Sequence, residues 1–152
     1  MSRRLKQAAA VLVVFAAAQL IRPERANPPT DASRTIQARV GTASGLVAVL
    51  DRACRDCHSN ATVWPSYAQV APLSWLMAYA VKQGRKAVNF SEWAAYPPEM
   101  QRNLLTESCA DASTGKMPGV YTRLQPETRL SAQDVATICA AARQTQTNAG
   151  SP

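Results

Sequence analysis

Apolar residues run almost unbroken from Gln7 to Ile21, interrupted only by glutamines, and thereafter return at helical intervals. Beyond Ser44, Leu46, Val49, Leu50 and Ala53 recur every three or four residues, which predicts a helix ending at Cys54. A second helix is expected from Pro72, a favoured first-turn residue, to Gln83, with Gly84 as its stop. Leu73, Leu76, Met77 and Ala80 share its apolar face. Pro97-Pro98-Glu99 opens a third helix, striped with Met100, Leu104, Leu105 and Cys109. Ser131 and Asp134 resemble a capping box for a fourth, carrying Val135, Ile138, Cys139 and Ala142. No stretch alternates apolar with polar, so no sheet is expected. The pattern predicts an all-α domain over residues 44–144 with long irregular loops. Residues 23–43, with Pro23, Pro28, Pro29 and Gly41, read as a linker, and 145–152 as a flexible polar tail.

The apolar run at the N-terminus follows Arg3, Arg4 and Lys6, the basic-then-apolar pattern of an exported protein. Residues 1–22 are therefore expected to be a signal peptide or a signal anchor. Ala16-Ala17-Ala18 before Gln19 fits a small-residue cleavage site. Retention would instead hold the segment in the inner membrane, its basic start on the cytoplasmic side and Arg22-Pro23 as an interfacial stop. The run from Ala8 to Ile21 falls short of the ~20 residues that cross a bilayer comfortably. The expected location is the bacterial periplasm, either anchored by this helix or released from it.

Charge changes the picture little. The formal +7 divides into +4 over residues 1–25 and +3 over the remaining 127. Outside the N-terminal segment the largest basic cluster is Lys82, Arg85 and Lys86, so nucleic acid is not expected as a partner. The 152 residues suffice for one domain, and 18% charged residues are too few for a disordered chain.

Four cysteines and one histidine constrain the chemistry most. A single imidazole excludes zinc sites that need two or three. Outside the cytoplasm, thiols must be accounted for by pairing or by a cofactor. Cys54-Arg55-Asp56-Cys57-His58 has the spacing of c-type haem attachment, in which two thioethers hold the macrocycle and the following imidazole ligates iron. A redox-active Cys-x-x-Cys has the same spacing but sits in a βαβ setting, which is not visible here. Zinc on Cys54, Cys57, Cys109 and Cys139 would need a second pair 30 residues apart and would leave His58 without a role. One covalently attached haem c is the favoured cofactor. For the sixth iron position Met77 and Met100 lie at core spacing. Met117 lies in Gly115-Lys116-Met117-Pro118-Gly119, a loop 59 residues beyond His58 that can return across the other haem face. It is the favoured axial partner. Cys109 and Cys139, on apolar faces of the third and fourth helices, are expected to form a disulfide; two buried free thiols are the alternative.

The residues around this motif resemble the haem-binding domain family of small bacterial c-type cytochrome-like proteins. The resemblance is carried by Asp56-Cys57-His58-Ser59-Asn60, Thr62, Trp64-Pro65, Tyr67, Ala71-Pro72, Ser74-Trp75-Leu76, Gly84-Arg85 and Asn89-Phe90-Ser91-Glu92-Trp93. It continues through Lys116-Met117-Pro118, Tyr121 and Leu130-Ser131, and includes Cys109 and Cys139. It covers about two thirds of the chain; Ser66 departs from it, standing where the family usually has a second tryptophan. The resemblance implies a small cytochrome c-like helical fold that binds haem, and an N-terminal hydrophobic anchor. Trp64, Tyr67 and Trp75 are candidate walls of the haem pocket, and Arg85 a candidate partner for a propionate. Asn60-Ala61-Thr62 and Asn89-Phe90-Ser91 match glycosylation sequons but read as caps or turns. The expected role is single-electron transfer with a redox partner protein rather than catalysis. Alternatives are a haem enzyme or sensor, with a sixth position open to peroxide or a diatomic gas, and an accessory module of a larger redox complex.

Overall fold

In the computed structural model, which describes residues 2–40 and 45–147, the chain forms seven α-helices and five short 3-10 turns, with no strand among the described residues. The helices are α1 (Arg3–Ala18), α2 (Ile36–Val40), α3 (Gly45–Ala53), α4 (Arg55–His58), α5 (Leu73–Ala87), α6 (Pro98–Ser113) and α7 (Ala132–Thr147). α6 pairs with α7, α3 packs on α7, and α4 packs against α5 and touches α3. In the core, Leu46, Val49 and Leu50 of α3 cluster with Leu105 of α6, Ile138 of α7, and Phe90 and Trp93 of the 3-10 turn Phe90–Ala95.

The N-terminal helix requires a correction. It is 16 residues long, about 24 Å at 1.5 Å per residue, against a hydrocarbon core of roughly 30 Å. No helix among the described residues is long and apolar enough to cross a membrane. The expected signal-anchor helix, inner-membrane association and anchored location are therefore overturned. Ser2 caps α1, and none of the helix's residues is buried.

Beyond α1 the chain runs across the domain and is held at many points. Gln19 accepts from the Ala71 amide at 2.9 Å, the Trp75 indole donates to the Ile21 carbonyl at 2.8 Å, and Arg25 donates to the Ala68 carbonyl and the Gln69 side chain. The segment expected as a linker contains a 3-10 turn at Ala32–Arg34, capped by Asp31, and then α2. Ile36 is among the largest fully buried side chains, so this segment is part of the core. Positions 41–44 of the expected linker and helix start, and 148–152 of the expected tail, lie outside the described residues; α7 reaches Thr147.

The helix faces also differ from the periodicity in detail. In α5 the buried positions are Ser74, Met77, Ala80, Val81 and Gly84, whereas Leu76 is exposed. Gly84 does not end the helix, which continues to Ala87. In α6 Met100 is exposed and Leu105 takes the buried place. The capping box of α7 forms reciprocally: Ser131 Oγ accepts from the Asp134 amide at 3.1 Å, and Asp134 accepts from the Ser131 amide at 2.8 Å.

Candidate functional site

The Cys-x-x-Cys-His segment lies where α3 breaks. The Cys54 amide still closes the last turn of α3 on the Leu50 carbonyl, and the Cys54 carbonyl then accepts from Cys57 and His58 to form α4. Cys54, Cys57 and His58 thus follow one another on a single turn. That turn is pressed against α5 at Gly84. A Cβ there would overlap the Cys57 carbonyl oxygen and lie 2.8 Å from its carbonyl carbon, so only glycine permits this approach.

These three residues line a cavity of about 360 Å³, within the ~300–1,000 Å³ usual for sites that enclose a small molecule or cofactor. Leu50, Ala80, Val88, Phe90, Leu104 and Ile138 make much of its wall apolar. Met117 joins it from the loop after α6, with Tyr121, Gln125 and Thr128 following. The structure therefore brings Cys54, Cys57, His58 and Met117 to one cavity from positions as far apart in sequence as 54 and 117.

The polar groups have defined states. His58 Nδ1 faces the Val88 carbonyl at 3.3 Å. A carbonyl can only accept, so Nδ1 carries the proton and Nε2 keeps its lone pair. Burial holds the imidazole below its usual pKa, which keeps it neutral, as a metal ligand must be. Burial pushes the Cys54 thiol up to about 12, and burial with the neighbouring Asp56 pushes Cys57 up to about 11. Both are neutral free thiols on the cavity wall.

Met117 is held by Asp111. Its amide donates to the Asp111 carbonyl at 3.2 Å, and Lys116 pairs with the Asp111 carboxylate at 2.9 Å. Gly115 and Gly119, with φ of 70° and 59°, supply the left-handed turns on either side of it. Just before the loop, Cys109 and Cys139 join α6 to α7 in a disulfide with Cα atoms 4.8 Å apart.

Trp64, Tyr67, Trp75 and Arg85 do not line the cavity. Tyr67 donates to the Leu124 carbonyl at 3.4 Å, Trp75 holds Ile21, and the Trp64 indole nitrogen is buried without a hydrogen-bond partner. Arg85 is engaged elsewhere: it donates to the Ser59 and Ala26 carbonyls, to Asn27 Oδ1 and to Thr62 Oγ1, at 2.7–2.9 Å. It clasps the N-terminal strap to the loop after His58. Sequence reasoning did not find Arg52, a cavity residue that donates to the Glu127 and Arg129 carbonyls and pairs with Asp134 at 2.7 Å. It also took Gly84 for a helix stop; the available signal was a glycine inside a helical pattern, which often marks close packing.

A family model described as the haem-binding domain matches residues 13–144. The chain belongs to the haem-binding domain family. The match begins inside α1 and takes in the strap and α2, in keeping with the burial of Ile36 in the core. None of the curated proteins and none of the solved structures compared with the chain matches it. The donor set of this haem-binding domain suits the group: two thiols, a neutral imidazole and a thioether share one cavity with a largely apolar wall.

Proposed function

We propose that this haem-binding domain holds a single haem c and passes single electrons to and from a partner protein. Cys54 and Cys57 would provide the two thioether sulfurs, His58 Nε2 one axial ligand and Met117 Sδ the other. When bound, the haem supplies a one-electron iron couple, whose potential a thioether ligand raises. The protein's part is to orient the ligands and offer the macrocycle an apolar face. Val88 fixes the imidazole tautomer, Gly84 lets α5 close against the attachment turn, and Leu50, Phe90, Leu104 and Ile138 supply the apolar wall. The single observation that carries this reading is the convergence of Cys54, Cys57, His58 and Met117 on the same cavity.

Met117 is 41% exposed, which favours a second reading in which it yields its position to a diatomic gas or peroxide. An absorption spectrum of the ferric holoprotein and of Met117→Ala, together with haem staining after denaturing electrophoresis, separates the two. The electron-transfer reading expects haem that stays with the denatured chain and a thioether-to-iron charge-transfer band that the variant lacks. Haem lost on denaturation rejects covalent attachment. A parent without the band rejects Met117 as ligand and supports the enzyme or sensor.

A further inference from the structure

Val88 ends α5 in extended conformation, and the peptide that follows it is gripped at both ends. Its carbonyl faces His58 Nδ1 at 3.3 Å, and its N–H, that of Asn89, donates to the Tyr96 hydroxyl at 2.9 Å. A peptide unit is planar, so holding the N–H fixes the direction of the carbonyl. Donation from the N–H also polarises the amide and makes its oxygen a better acceptor. We propose that Tyr96, which does not line the cavity, is a positioning residue that sets the orientation and basicity of His58 through the Val88–Asn89 peptide. This inference rests on the reading of His58 as an axial ligand.

The surrounding bonds leave this peptide little freedom. Asn89 Oδ1 accepts from the Ser91 amide at 3.0 Å, and Asn89 Nδ2 donates to Asn60 Oδ1 at 2.8 Å. The Asn60 amide in turn donates to Ser91 Oγ at 3.0 Å. The Phe90 ring lies 5.9 Å from the His58 ring, limiting its rotation, and Trp93 meets Tyr96 edge-on at 6.0 Å. Gln101 holds the far end of the same turn, donating to the Trp93 and Tyr96 carbonyls at 3.0 and 2.9 Å. Outer partners of a ligating histidine raise its basicity. Loss of the Tyr96 hydroxyl therefore leaves His58 a weaker donor and raises the iron potential.

The test compares the parent holoprotein with Tyr96→Phe, which keeps the ring, and with Gln101→Met, which loosens the same turn without touching the peptide. The readouts are ferric electron paramagnetic resonance, reduction potential and exchange of the Asn89 amide. Tyr96→Phe is expected to shift the g values, raise the potential and speed Asn89 exchange roughly five- to tenfold, the scale of one net hydrogen bond. Gln101→Met is expected to lower stability with parental g values and potential. Parental g values in Tyr96→Phe, or equal shifts in both variants, overturn the inference. Should Tyr96→Phe not fold, rapid Asn89 exchange in the parent overturns it equally. A parent lacking histidine ligation rejects the axial-ligand reading itself, and does so before any variant is compared.

Discussion

At Gly84 the α5 backbone lies so close to Cys57 that no side chain can enter. Because the obstacle is backbone, it cannot swing aside, and Gly84→Ala must push α5 from the Cys54–His58 turn. The expected cost is about 1–3 kcal/mol, as for other overpacked sites, seen as a lower urea midpoint together with reduced haem loading. Gly45→Ala is the control: its Cβ would meet Thr137 at an ordinary 3.6 Å, and a Gly→Ala change that the backbone accommodates stabilises by roughly 0.4–1 kcal/mol. Equal behaviour of the two variants would remove the steric argument. Cys54, Cys57 and His58 were legible because their relation is local, a spacing within one turn. Gly84 was legible only as a glycine after an apolar run, since what it touches lies 27 residues away. Arg85 shows the same limit. A guanidinium at a helix end suits many acceptors, and the strap that takes its donors is remote in sequence.

Among the elements, α7 most directly follows its own code. Ser131 and Asp134 close its first turn, and Arg52 extends the pairing to α3. The hydrogen bonds from Ser131, with those from Arg52, hold the Asp134 carboxyl below its usual pKa of 3.8. The unfolded chain thus binds this proton more readily. The carboxylate's contribution is present above that ordinary value and is lost as pH falls through the lower folded one. Asp134→Ala is expected to lose about 1 kcal/mol at neutral pH, a difference that should narrow at a second, acidic pH as the carboxylate takes up its proton. Urea melts of parent and variant at the two pH values decide it; a gap that persists in acid would assign the loss to packing. In α5 and α6 the periodicity located the helices but not every buried position. Leu76 and Met100 stay exposed, and Ser74 is buried, because the neighbours available to each face come from elsewhere in the chain.

For the molecule as a whole, the disulfide and the Met117 loop form one unit. Cys109 lies on the last turns of α6, from which Asp111 holds Met117, and Cys139 ties that end to α7. Opening a loop with a separation of 30 residues should lower stability by roughly 3.5 kcal/mol in the chain-entropy account. On the proposed ligation, Met117 should leave the iron before the domain unfolds. Titration with a dithiol, followed by haem absorbance and circular dichroism, checks the order; intact ligation in demonstrably reduced protein would refute it. The strap explains a larger discrepancy. The segment 23–43 looks like a linker because its composition is polar and proline-rich, yet Ile36 and the acceptors for Arg85 make its described part integral to the domain. The sequence by itself determined the helical class, the Cys-x-x-Cys-His spacing and the α7 cap, since each depends on neighbours within a turn or two. Which residues share the cavity, which arginine is occupied by backbone and how close α5 may approach Cys57 were decided only by tertiary structure. Those properties belong to surfaces that meet after folding, and no local spacing records them.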